Sequence, residues 1–245
     1  MTTEDLTIHT HTERERLAGI LSSLHPEQWA APSLCAGWRV REVVAHLTMP
    51  YRRGPMTGAV AFFLGLARSG FNINRYLDRA ARADAARLTD AELLEVLRVN
   101  IRNPWRPPGG GQIGALSHDV IHGLDITEPL GLPSCPPERI TLVLQQTSAK
   151  NLGYFGVDLT GRQLIASDAE ASLGEGTAVH MPAKDILLLA TGRYPFPEAG
   201  KNASHGDTAL RHALRPDPDP QGPDRSDPGH SGDRDLRGTR PHPTA

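Results

Sequence analysis

From Leu17 to Leu144 the apolar residues of this chain recur three and four positions apart, and prolines and glycines cut the pattern into helix-length pieces. That spacing gives each helix one apolar stripe, and such stripes are buried most simply against one another, so the sequence is constrained toward a helical bundle. Leu17, Ile20, Leu21 and Leu24 mark a first helix, with Thr12 and Glu15 in the capping-box relation ahead of it and Pro26 at its end. Val40, Val43, Val44 and Leu47 define a second, closed by Pro50. Residues 56–100 read mainly as helix, with a break at Gly70 and a fresh capping box at Thr89 and Glu92. Ile113, Leu116, Val120 and Leu124 give a fourth main helix, and the Pro136-Pro137-Glu138 run opens a fifth.

Beyond about Gly153 the pattern changes to short, turn-bounded runs at 156–159, 163–167 and 176–181, followed by a compact helix from Pro182 to Ala190 with Gly192 behind it. A strand-and-helix appendage of that size is too small to stand alone and is expected to dock on the bundle. From Pro216 onward the composition turns to Pro, Asp, Gly and Arg and cannot build a core. The reading is therefore mainly α: a bundle over 8–152, a small α+β domain over 153–198 and a disordered tail over 199–245.

Composition narrows the function classes. Lys and Arg number 26 against 28 Asp and Glu, and the resulting net charge of -2 offers no field for nucleic acid or an anionic membrane. The polar first thirty residues lack the apolar stretch of a signal peptide, and no run reaches the roughly 20 apolar residues that span a bilayer. With only Cys35 and Cys135, a disulfide framework and a four-cysteine zinc site are both disfavoured, which fits a reducing cytoplasm.

The chemistry concentrates in histidine. His118 and His122 stand four apart in the fourth main helix, on one face and one turn apart, a spacing that lets both imidazoles reach one ion. A third ligand has to come from a facing helix, and His46, three residues after Val43, is the inward-facing candidate. Three imidazoles leave a zinc-like divalent ion an open position, the arrangement of a catalytic site. Asp119 and Asp125 are nearby acids. Asp125 is three residues after His122, so it either accepts a hydrogen bond from an imidazole or stays solvated at the helix end. Against this, a His-x-x-x-His pair alone is weak evidence among eleven histidines. Cys35, near the start of the second helix, reads as a buried, inert thiol rather than an activated one, and Trp29 and Trp38 read as packing anchors.

The stretch from Pro26 to Leu47, with its Leu34-Cys35-Ala36-Gly37-Trp38-Arg39-Val40 run and His46, followed later by His118-Asp119-Val120-Ile121-His122-Gly123-Leu124-Asp125-Ile126 and by Met181 to Arg193, resembles the mycothiol-dependent maleylpyruvate isomerase family of DinB-like metalloenzymes. The resemblance covers roughly residues 8–195. It implies a DinB-type four-helix bundle with a small α+β C-terminal domain, and a divalent metal, with zinc expected, on His46, His118 and His122. The isomerase has a glutamate where this chain has His118, so an all-histidine site would be one unit more positive and would favour an anionic thiol ligand.

The activity implied is that of a mycothiol-using S-transferase or maleylpyruvate-isomerase-like enzyme acting on a small electrophile through a metal-bound thiolate. The low-molecular-weight thiol and the electrophile are its expected partners, with no nucleic acid or membrane, and the protein is expected as a monomer or homodimer. Arg193 is the residue expected to grip a substrate carboxylate in the active site; its alternative role is a helix-end charge satisfying carbonyls. Two other classes stay open: a non-catalytic DinB-like metal-binding or regulatory module, and a metal-dependent hydrolase.

Overall fold

In the computed structural model, described over residues 2–52 and 55–194, the helices are α1 (Thr3–Ser22), α2 (Pro26–Trp29), α3 (Val40–Thr48), α4 (Pro55–Arg68), α5 (Ile73–Arg87), α6 (Asp90–Val99), α7 (Gly111–Thr127), α8 (Pro137–Leu144), α9 (Ala149–Tyr154) and α10 (Ala183–Ala190). Between α9 and α10 lie the strands β1 (Arg162–Ala166), β2 (Ser172–Gly174) and β3 (Thr177–Met181). The expected class is borne out: the protein is mainly α with a small three-stranded sheet. The expected tail at 199–245, with residues 195–198, lies outside the described residues.

Four helices close a ring of contacts, α1 on α7, α7 on α3, α3 on α6 and α6 on α1. Their stripes meet in a core that includes Leu17, Leu21, Val43, Val44, Leu47, Leu93 and Leu97. Helix α3 is enclosed almost all round, because α5 also packs on it, and every residue from Glu42 to Thr48 is buried. That enclosure carries His46 into the interior with its apolar neighbours.

Three local readings change. The first helix begins ten residues before the expected cap: Thr2 is the N-cap, its hydroxyl accepting from Asp5 N while Asp5 Oδ2 accepts from Thr2 N. Thr12 lies inside the helix and donates to Ile8 O. The apolar pattern hid this start because the buried stripe of α1 continues upward through polar residues, Arg14, Glu13 and Thr10. Pro26 opens the short helix α2 rather than merely closing its predecessor. The strand expected at 156–159 does not form. Val157 N donates to Leu152 O and Gly156 has φ +70°, a Schellman-type ending of α9 that uses the amide a ladder would need.

In the sheet, ordered β2-β1-β3, β1 pairs antiparallel with β2 and parallel with β3. Gly176, with φ +128°, closes on β1 so tightly that a Cβ there would lie 2.2 Å from the Gly161 carbonyl carbon. Helix α10 fills the space between β1, α7 and α8. This explains its nearly unbroken burial from Ile186 to Ala190.

Candidate metal centre

Helices α3 and α7 bring the three sequence-predicted histidines together. The ring centroids lie 4.8 Å apart for His46 and His122, 5.2 Å for His46 and His118, and 5.0 Å for His118 and His122. One nitrogen from each lies within 4.8 Å of the others. An ion held tetrahedrally at about 2.0–2.1 Å draws its nitrogens to roughly 3.4 Å, so small side-chain shifts would bring the three onto one ion.

His46 is 8 % exposed, and its Nδ1 has no hydrogen-bond partner although it is buried. An orphaned imidazole nitrogen in the interior is costly unless something coordinates it. Burial, reinforced by the neighbouring His122 and His118, holds His46 well below the ordinary histidine range. Burial also lowers His122, although its hydrogen bond to Asp125 works in the opposite direction. Both imidazoles are thus kept neutral, the form that ligates a cation.

The two histidines of α7 each rest on a buried carboxylate. His118 Nδ1 is 3.0 Å from Asp119 Oδ1, and Asp119 Oδ2 accepts from Arg14 Nε at 2.6 Å. His122 Nδ1 is 2.9 Å from Asp125 Oδ2, and Arg193 grips Asp125 with both Nε and Nη2 at 3.0 Å. Burial alone would raise the Asp125 carboxyl, but the hydrogen bonds from His122 and Arg193 outweigh it and hold the group below its usual range. Of the two sequence alternatives for Asp125, the structure has the imidazole partner.

Cys35 sits in the turn between α2 and α3 and donates to Asp125 Oδ2 at 3.0 Å. Its Sγ is 3.8 Å from His122 Nδ1, so Cys35, His122 and Asp125 form a second potential ligand group. Burial and the Asp125 carboxylate push this thiol well up, keeping it protonated at neutral pH. Asp125 is already matched by Arg193, whose Nη2 also lies 3.9 Å from the sulfur, so a further cation there meets a cation. The three histidines are the better ion site.

Aromatic side chains line the group. Trp38, expected only as a packing anchor, lies 5.4 Å from the His46 ring and donates through Nε1 to Asp78. Trp105 lies 5.2 Å from His118, and Phe155 is 5.8 Å from the Arg193 guanidinium. Sequence reasoning passed over Arg14 and Trp105. Arg14 was detectable, since Thr10, Glu13, Arg14, Leu17, Ala18 and Leu21 follow one helical stripe and all are buried. Trp105 lies in a loop without periodicity and gave no such signal.

A four-helix bundle with a histidine triad between two of its helices and an α+β appendage defines the class of protein. Within it, residues 10–103 match the family model described as the mycothiol maleylpyruvate isomerase N-terminal domain, so the expected family resemblance is borne out over that segment. Two crystal structures of the mycothiol-dependent maleylpyruvate isomerase, one of a mutant, are similar in fold. The mutant has a TM-score of 0.50 at 15 % identity and the other 0.52 at 14 %, each match covering 79 % of this chain and 90 % of theirs. At that identity the likeness speaks for the fold. A comparison with curated proteins gives no match. Among the described residues, no helix is long and apolar enough to cross a membrane.

Proposed function

We propose that this protein is a cytoplasmic, metal-dependent enzyme that uses mycothiol as a thiol cosubstrate on a small electrophile, as an S-transferase or a maleylpyruvate-isomerase-like catalyst. The observation that carries the reading is the convergence of three imidazoles, one of them the buried His46 with its partnerless Nδ1. His46, His118 and His122 would hold one divalent ion, zinc being the expected one. When bound, the ion supplies a Lewis-acidic centre that favours a thiolate over a thiol.

The chain's own residues do the rest. Asp119 and Asp125 accept hydrogen bonds from the α7 imidazoles, and Arg14 and Arg193 balance those carboxylates, so the ligand set stays neutral overall. A neutral set leaves the ion's full charge available to an anionic sulfur. Trp38 and Trp105 shield the imidazoles from water. Arg193 is the residue proposed to meet a substrate carboxylate; with Nε and Nη2 on Asp125 and one Nη1 hydrogen on Thr191 O, that contact falls to the second Nη1 hydrogen.

The test is turnover of a model electrophile such as monobromobimane by zinc-loaded protein, with and without mycothiol. The expected result is a rate requiring both ion and thiol, abolished in His122→Ala. An ion-dependent rate without any thiol would instead identify a hydrolase, and no ion-dependent rate with either would identify a non-catalytic module.

A further inference from the structure

The two carboxylate–imidazole contacts carry an inference that rests on the ion reading above but concerns residues outside the histidine triad. We propose that Arg14 and Arg193 are positioning residues that, through Asp119 and Asp125, fix His118 and His122 as the Nδ1–H tautomer. Both Nε2 lone pairs are then set toward His46 before an ion arrives.

The geometry allows little else. With Nδ1 at 3.0 Å and 2.9 Å from carboxylate oxygens, the opposite tautomer would set a nitrogen lone pair against a buried anion. A carboxylate that far from water needs a cation to keep its charge, since Asp119 is 1 % and Asp125 0 % exposed. Asp119 divides its oxygens, Oδ2 for Arg14 and Oδ1 for His118. Arg14 is itself fixed from a third direction, its Nη1 donating to Ile101 O at 3.2 Å and Asn103 O at 2.7 Å. Those carbonyls belong to the loop that carries Trp105, whose N donates to Asn103 Oδ1. The same arginine therefore sets both a ligand and the wall beside it.

The second arm is separate. Arg193 follows α10, forks onto Asp125 and braces its Nη1 on Thr191 O at 2.8 Å. Among the described residues no side-chain hydrogen bond joins Arg14 or Asp119 to Arg193 or Asp125, so loosening one arm should leave the other intact.

The test is long-range proton–nitrogen correlation NMR on histidine-labelled, chelator-treated full-length protein, which reads tautomers without an ion. The wild type is expected to show Nδ1 protonated and Nε2 unprotonated in both His118 and His122. Arg14→Lys should mix the tautomers of His118 alone, and Arg193→Lys those of His122 alone. Each variant should also weaken zinc, measured by competition with a chelator, by about 10- to 100-fold.

An Nε2–H tautomer at either position in the wild type would overturn the proposal, a result that needs no variant to fold. So would unchanged tautomers in both variants, or both histidines changing together in each. Failure of the wild type to take up zinc while showing the expected tautomers would sink the ion reading and leave the positioning role standing.

Discussion

His46 lies between Trp38, His118 and His122, a place where an added proton meets aromatic rings and other imidazoles. Its pKa and that of His122 are held below the ordinary 6.5. The unfolded chain therefore takes up protons near pH 6.5 that the folded, ion-free protein refuses. Stability is fully present above that pH and is lost as pH falls toward the folded values. Between about pH 7.5 and about pH 5.5, chelator-treated protein should lose stability through both histidines, with His46 the more strongly shifted, read by urea unfolding. His46→Leu should remove its share of the pH dependence. An unchanged unfolding free energy across that range would contradict the burial argument.

At the scale of elements, the contrast between glycines gives a direct check. Gly19 lies on the exposed side of α1, where an added Cβ would meet nothing within 4 Å, so Gly19→Ala should raise stability by about 0.5–1 kcal/mol. Gly176→Ala forces a side chain against the Gly161 backbone at positive φ and should lower stability by at least about 1–3 kcal/mol. Thermal unfolding of the two variants should therefore shift in opposite directions.

The elements also show where sequence is legible. Val40 to Leu47, the Thr89–Glu92 cap and the Pro137 start of α8 were readable because stripe and punctuation agree there. The first half of α1 was not, because its buried face is made of groups satisfied by ion pairs rather than by apolar contact. Residues 156–159 misled for a different reason: Val157 and Leu159 look like strand alternation, but Gly156 forms the turn that caps α9. His46, His118 and His122 were found by spacing alone, whereas their carboxylate and arginine partners depend on pairings up to 105 residues apart.

For the molecule as a whole, α7 is where distant parts of the chain converge. Arg14 reaches it from α1, His46 from α3, Cys35 from the turn before α3, and Arg193 from beyond α10. The α+β appendage thus reaches the candidate metal centre through a bidentate arginine as well as through apolar packing. An ion bound only by this assembled state stabilises it by mass action, about 2.7 kcal/mol at a hundredfold excess over its dissociation constant. The central claim is that His46, His118 and His122 hold one ion, and elemental analysis of the purified protein tests it most directly. One equivalent of divalent metal in the wild type, lost in each of His46→Ala, His118→Ala and His122→Ala, is the predicted result; a metal-free wild type that cannot be reconstituted with zinc would contradict it.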